Sequence, residues 1–127
     1  FKCGYDLPRG QAFLQRMNGI HCRYPIANGD YLYVLSTFIY EPVRWCDRFG
    51  WRAFSEHEKQ AMYYFWRAVG ERMGITDIPD SYNDFETYNR SYELAHFTYA
   101  AANLRVAFAT RTMLLSWFPV RMRSLAD

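Results

Sequence analysis

The sequence lacks any apolar run of the roughly 20 residues that a bilayer-spanning helix needs, because charged residues interrupt every candidate helix. It has three cysteines, Cys3, Cys22 and Cys46, and no CxxC pair. A scattered, odd set favours free thiols in a reducing, cytoplasmic compartment over a disulfide framework or a zinc site. The chain starts at Phe1 without a methionine or a recognisable signal peptide, and we expect a fragment of a longer protein.

Lysine is scarce as well, since Lys2 and Lys59 are the only two and arginine supplies the rest of the 15 basic residues. The formal net charge of +2 gives no global indication of a nucleic-acid partner. The planar guanidinium group suits carboxylates and tolerates half-buried positions. The arginines are therefore consistent with an anionic cofactor, although salt bridges between helices are the commoner explanation.

Apolar and aromatic residues, in contrast, are abundant. They make up 50% and 20% of the chain, far more than a disordered protein carries. A chain of 127 residues has the size of one domain, so we expect a single hydrophobic core over residues 1–127. Apolar residues recur at helical spacing and no segment alternates as a strand does. The sequence predicts one compact all-α domain of about five helices.

Prolines, glycines and capping residues place the helix ends. The predicted helices run from Pro8 to His21, from Asn28 or Asp30 to Phe49, from the Ser55–Glu58 capping box to Gly74, from a Ser81 cap through Tyr92, and from about Thr98 to Trp117 before Pro119. Asp6 is predicted to cap the first helix. Pro42 is predicted to kink or split the second helix, because proline lacks the donor that a helix interior requires.

His21 is the main candidate for a functional residue. It lies one helical turn after Met17 and two turns after Phe13 or Leu14, which turns its imidazole towards the apolar side of the first helix. A core histidine bonded to a backbone carbonyl is the commoner explanation for such a position. The functional alternative is a neutral imidazole offered to a metal in an apolar pocket.

Arg16 and Arg23 flank His21 and are the candidate partners of cofactor carboxylates. Two arginines beside a buried histidine suit a haem pocket, where the iron binds nitrogen and the propionates bind cations. Surface salt bridges to Asp30, Glu41 or Asp47 are the alternative that the residues alone favour.

The other two histidines and Cys22 are weaker candidates for functional residues. His57 lies at a helix start and His96 at a helix junction, and their spacing from His21 matches no zinc motif. Cys22 is adjacent to His21, but neighbouring residues on a helix point apart, so a cysteine–histidine nucleophile is not indicated. No P-loop, nucleotide-binding glycine motif, nucleophile elbow or HExxH motif is present.

An ordered series of short motifs resembles one known family along nearly the whole chain. The motifs are residues 16–21 (RMNGIH), 29–35 (GDYLYVL), 41–45 (EPVRW), 49–52 (FGWR), the cap at 55–58, 66–70 (WRAVG), 73–79 (MGITDIP) and 117–119 (WFP). Together they resemble the mpaB and rubber-oxygenase (latex-clearing protein) family.

This resemblance implies an all-helical fold that holds b-type haem, with His21 as the proximal iron ligand. It also implies dioxygen and an apolar, isoprenoid substrate, because the rubber-cleaving members cut polyisoprene and fungal members cut a prenyl side chain. The upstream helices of the family, which carry its R-x-x-x-T motif, are not in this sequence. The arginine spacing around the family's histidine is also not reproduced by Arg16 and Arg23.

Two other functions stay open at this point. One is a non-catalytic helical module that binds a lipid-like ligand or a protein partner in the same pocket. The other is a structural remnant without activity. An absorption spectrum after addition of haem would distinguish them from an oxygenase.

Overall fold

The computed structural model describes residues 4–118, so Cys3 and Pro119 lie outside the described residues. This part of the chain contains five α-helices and no strand, which confirms the all-α prediction. The helices are α1 (Pro8–His21), α2 (Asn28–Phe49), α3 (Glu56–Arg72), α4 (Tyr82–His96) and α5 (Ala101–Ser116). None of them is long and apolar enough to cross a membrane.

The residues that cap or end α3 and α4 act as the sequence predicts. Ser55 and Glu58 form a complete capping box, in which each side chain bonds to the other residue's backbone N–H. Gly74 follows α3 with a φ of +78°, a conformation that favours glycine. The Ser81 hydroxyl accepts a hydrogen bond from the Asp84 backbone N–H at 3.1 Å and so caps α4.

The predicted Asp6 cap is wrong, and of the kink or split predicted at Pro42, the split does not occur. The residue before α1 is Leu7, which makes no side-chain cap, while the Asp6 carboxylate forms an ion pair with Arg72 at 2.7 Å. Pro42 does not split α2, which runs unbroken from Asn28 to Phe49. Proline removes one backbone hydrogen bond there, but buried side chains on both sides of it, Tyr40 and Val43, hold the helix against the core.

The core lies between α2, α3 and α4. Its buried apolar residues are Leu32, Leu35, Ile39, Tyr40, Tyr63, Ile75 and Phe85. The two buried tyrosine hydroxyls donate to backbone carbonyls, Tyr40 to Tyr82 at 2.7 Å and Tyr63 to Pro79 at 2.6 Å. Burial raises the pKa of both tyrosines, so both stay neutral donors.

A buried polar cluster joins α2 to α4 beside this core. Asn89 and Ser36 are both fully buried, and the Asn89 amide donates to the Ser36 hydroxyl at 2.8 Å. The Arg44 guanidinium donates to Asn89 Oδ1 at 2.8 Å and forms an ion pair with Glu41. Because these buried groups bond to one another, the cluster fixes the register of α4 on α2.

Polar contacts also hold α1 against α3. The Asn18 side-chain amide donates to the Arg72 carbonyl at 3.0 Å, at the end of α3. The Arg72 guanidinium in turn lies 4.3 Å from the centre of the Tyr5 ring. These contacts place Asn18, in the last turn of α1, and Tyr5, just before α1, next to the end of α3.

The chain forms two compact units, residues 1–95 and residues 96–127. The first unit holds α1 to α3, nearly all of α4, and the core. The second holds α5, which begins after Ala100 without a side-chain cap.

Candidate functional site

The first unit has a partly open apolar cavity of about 480 Å³ between α1, α2 and α3. It is lined by Met17, His21, Ile26, Asp30, Tyr31, Val34, Leu35, Phe38, Trp66, Val69, Met73 and Ile75. Only His21 and Asp30 in this lining carry strongly polar side chains. Ligand sites of this kind, apolar with a few polar groups, are typically about 300–1,000 Å³ in volume.

The wall between α2 and α3 is aromatic and tightly packed. The rings of Phe38 and Trp66 stack with their centres 4.6 Å apart and their planes 18° from parallel. The two helices come this close because α3 has Gly70 where it meets Leu35. A Cβ atom at Gly70 would lie 2.4 Å from Leu35 Cδ2 and 3.0 Å from Ile78 Cδ1. The glycine therefore sets the separation of the two walls.

His21 is the last residue of α1 and lies in the cavity wall, as its position after Met17 predicts. Its ring centre is 5.5 Å from that of Tyr31. Its Nδ1 atom is buried and has no hydrogen-bond partner within the described part of the chain. The backbone-bonded core histidine that the sequence left open is thus not what the geometry shows. The imidazole thus lines the cavity without a hydrogen bond at Nδ1, an atom that is itself inaccessible to solvent.

Hydrogen bonds with other segments hold each of the first three residues of α2, next to the cavity. Asn28 exchanges two hydrogen bonds with the backbone of Thr76, at 2.9 and 3.0 Å. The Tyr88 hydroxyl donates to the Gly29 carbonyl at 2.9 Å. The Tyr92 hydroxyl donates to the Asp30 carboxylate. Four of the bonds in this turn come from residues distant in sequence, so the turn is rigidly placed.

The contact between Asp30 and Tyr92 also keeps the Tyr92 hydroxyl neutral at this edge of the cavity. The hydrogen bond to the Asp30 carboxylate, followed by desolvation, raises the pKa of Tyr92 to about 12. Tyr92 is therefore a neutral donor at physiological pH. Asp30, in the first turn of α2, is in addition favourably placed at the positive end of the helix dipole.

Arg16 and Arg23 are both exposed, and neither lines the cavity. Within residues 4–118 they do not form the salt bridges to Asp30, Glu41 or Asp47 that the sequence suggested as an alternative. Glu41 is instead paired with Arg44. Their role as cofactor partners stays a prediction.

The other histidines and the cysteine beside His21 lie elsewhere. His57 and His96 are exposed and do not line the cavity. The Cys22 thiol is exposed and lies 3.4 Å from the Gly19 carbonyl, to which it donates, so it does not face the cavity either. Neither His57 nor Cys22 joins His21 in the cavity lining.

Comparison with known proteins gives the family. Residues 6–126 match the family described as "ER-bound oxygenase mpaB/B'/Rubber oxygenase, catalytic domain". The chain belongs to this family. The expected resemblance is therefore confirmed over nearly the full sequence.

Three relatives illustrate the degree of similarity. The ER-bound oxygenase mpaB of Penicillium brevicompactum is 28% identical over 103 residues, which are 72% of this chain and 26% of that protein. The mpaB protein of Penicillium roqueforti (strain FM164) is 28% identical over 106 residues, 74% of this chain and 36% of that protein. The mpaB' protein of Penicillium brevicompactum is 39% identical over 51 residues, 40% of this chain and 12% of that protein.

The chain thus spans roughly a quarter to a third of the length of the first two mpaB relatives. No solved structure matches it. Membership of the mpaB/rubber-oxygenase family supports an oxygenase catalytic domain as the source of this chain.

Sequence reasoning missed three residues of the site: Asn28, Asp30 and Tyr31. Asn28 was considered only as part of a loop and as a helix start, and Asp30 only as a helix start and a salt-bridge partner. A signal was present in the order of the residues, since an asparagine, a glycine and an aspartate precede an aromatic residue at a helix start. The partners of Asn28 and Asp30, however, lie 48 and 62 positions away in the sequence.

Proposed function

We propose that this chain is part of a haem-dependent oxygenase in which His21 is the protein ligand of the haem iron. The observation that carries the proposal is the position of His21 in the wall of an apolar cavity, with a buried Nδ1 that lacks a hydrogen-bond partner among the described residues. Membership of an oxygenase family supports it.

The residues present fit a b-type haem on two counts. Imidazole nitrogen is a common protein ligand of haem iron, and His21 offers one at the edge of a cavity of about 480 Å³. The walls are otherwise mostly aliphatic and aromatic, as the faces of a porphyrin require. Phe38 and Trp66, whose rings stack on each other, supply aromatic surface to these walls.

The chain's own side chains would do three things in such a site. His21 would bind through one ring nitrogen, the buried Leu35 and Val69 would exclude water, and Asp30 would disfavour a second carboxylate at its edge of the cavity. When bound, haem supplies the chemistry of dioxygen, while the protein supplies binding and orientation.

Arg16 and Arg23 are the proposed partners of the propionates. Both flank His21 in sequence, are exposed, and make no ion pair within residues 4–118. A guanidinium without an internal partner is available to bind a carboxylate in two-point geometry.

The proposed substrate is an apolar, isoprenoid-like molecule that reacts with dioxygen. The apolar cavity supports this, because such a wall offers an isoprenoid chain no competing hydrogen bonds. The description of the family as a rubber oxygenase supports it as well. The cytoplasmic location of this chain remains a prediction. The names of its relatives describe those proteins as ER-bound.

Titration of the purified chain with hemin tests the proposal. We expect saturable uptake with a Soret band that shifts on binding, and loss of that uptake in His21→Ala. His57→Ala is the matched control, because His57 is exposed and outside the cavity. Unfolding curves of all three proteins show whether a loss of uptake reflects a loss of fold.

Three results are informative against the proposal. Hemin uptake that is equal in the wild-type chain and in His21→Ala would remove His21 as the ligand. If the folded chain binds no hemin but binds an unsaturated lipid, the non-catalytic module becomes the better explanation. If neither binds to a chain that is folded, the remnant without activity is favoured.

A further inference from the structure

We propose that Tyr31 is a positioning residue that holds the imidazole of His21 in its orientation at the cavity wall. This inference rests on the proposed role of His21. It assigns to Tyr31 a task that hydrogen-bond acceptors perform in most histidine sites.

The ring of His21 needs a neighbouring group that fixes its orientation. A histidine that binds a metal usually donates its second ring N–H to a carboxylate, carbonyl or water, and this bond fixes the ring. Nδ1 of His21 is buried and has no such acceptor within residues 4–118. The aromatic neighbour described for the ring is Tyr31, at 5.5 Å between centres and 56° between planes. This tilted geometry is one that aromatic rings favour.

Tyr31 follows a part of α2 that is held in place by hydrogen bonds. It follows directly on Asn28, Gly29 and Asp30, the three residues pinned by Thr76, Tyr88 and Tyr92. The bonds come from the segment after α3 and from α4, so the backbone immediately before Tyr31 is held from two directions. His21, in contrast, is the last residue of α1 and is followed by a loop. The more constrained residue orients the less constrained one.

The aromatic ring of Tyr31, and not its hydroxyl group, makes the contact with His21. Both His21 and Tyr31 line the cavity. Within the described residues the Tyr31 hydroxyl makes no hydrogen bond, so the contact depends on the ring alone. Phenylalanine should therefore preserve the function of Tyr31, whereas a leucine should not.

The experiment compares Tyr31→Phe and Tyr31→Leu with the wild-type chain at one fixed pH. Tyr24→Leu is the matched control, because Tyr24 is exposed, near His21 in sequence, and outside the cavity. The first readout is the position of the His21 ring resonances in the carbon–proton NMR spectrum without hemin. We expect a shift in Tyr31→Leu, from the loss of the ring current, and wild-type positions in Tyr24→Leu.

The second readout is hemin affinity. In Tyr31→Leu we expect a loss of about two- to tenfold, the factor that corresponds to an aromatic pair interaction. In Tyr31→Phe and Tyr24→Leu we expect less than a twofold change. The wild-type chain should also show a nuclear Overhauser effect between the His21 and Tyr31 rings, a measurement that needs no variant.

Absence of that Overhauser effect would overturn the proposal, even if Tyr31→Leu failed to fold. Equal hemin affinity in Tyr31→Leu and wild type would overturn it as well, while leaving His21 as the ligand. If the rings are in contact but the wild-type chain takes up no hemin, the haem function itself has failed and Tyr31 has no cofactor ligand to position.

Discussion

Asn28 and Thr76 exchange two hydrogen bonds between the first turn of α2 and the segment that follows α3. The Asn28 amide donates to the Thr76 carbonyl at 2.9 Å, and the Thr76 backbone N–H donates to Asn28 Oδ1 at 3.0 Å. Cavity residues lie on both sides of this pair, Ile26 and Asp30 beside Asn28, and Ile75 beside Thr76. The pair therefore holds two edges of the cavity together.

Asn28→Ala should lower the free energy of unfolding by about 1–3 kcal/mol, because two hydrogen bonds of roughly 0.5–1.5 kcal/mol each are lost. Urea unfolding measures the change. Asn83→Ala is the matched control, since Asn83 is an exposed asparagine of α4. Equal stabilities of the two variants would contradict the role of the pair.

Gly70→Ala should destabilise the chain by about 1–3 kcal/mol, because the new Cβ would lie 2.4 Å from Leu35 Cδ2. Thermal or urea unfolding measures the loss. The effect should shrink when Leu35→Ala is already present, since the clashing methyl groups are then gone, and a double-mutant cycle quantifies the coupling. Strict additivity would argue against a clash.

Gly19→Ala is the contrasting glycine substitution. Gly19 lies inside α1, and nothing is within 4 Å of a Cβ placed on it. Alanine has the higher helix propensity, so we expect a gain of about 0.5–1 kcal/mol. A loss of stability in the same unfolding assay would show that α1 is more closely packed at this point than the contacts indicate.

The capping box gives a pH dependence of known sign. The Arg52 guanidinium and the Ser55 backbone and hydroxyl lower the pKa of Glu58 from 4.5 to about 2. Because the folded-state pKa is depressed, the stabilising effect of Glu58 is present above pH 4.5 and is lost as the pH falls towards 2. Glu58→Gln should therefore be less stable than wild type near neutral pH.

The comparison is made by urea unfolding at several pH values. The stability difference between wild type and Glu58→Gln should narrow steadily below about pH 4.5. A difference that does not depend on pH over this interval would mean that the carboxylate charge contributes nothing to the box.

Filling the cavity tests its use as a ligand site. Val34 lines the cavity but is half exposed, so Val34→Trp adds volume at the wall while sparing the buried core. We expect hemin affinity to fall by about tenfold or more, because overpacking costs about 1–3 kcal/mol. Ala61→Trp, at an exposed position of α3 outside the cavity, should bind like wild type. Unchanged affinity in Val34→Trp would place hemin elsewhere.

The sequence predicts the helices well because their ends are determined locally. The Ser55–Glu58 box, the Ser81 cap and the turn at Gly74 need only neighbouring residues, and each lies where expected. The errors have tertiary causes. Asp6 bonds to Arg72, 66 positions away, in place of a cap, and the continuity of α2 at Pro42 depends on packing that no local pattern reveals.

In the candidate site too, some residues can be predicted from the local sequence and others depend on tertiary contacts. Helical periodicity predicts that His21 turns towards apolar neighbours, and it does line the cavity. The role of Asn28 requires Thr76, and the contact of Tyr31 with His21 requires the path of the loop between α1 and α2. Neither follows from spacing along the chain.

The close approach of Gly70 to Leu35 and Ile78 has a consequence for sequence variation in the family. A homologue that carries alanine or serine in place of Gly70 needs a shorter side chain in place of Leu35, or a wider gap between the two helices. We therefore expect these three alignment columns to change together during evolution, and a homologue with a larger residue in the column of Gly70 should have a differently shaped cavity beneath it.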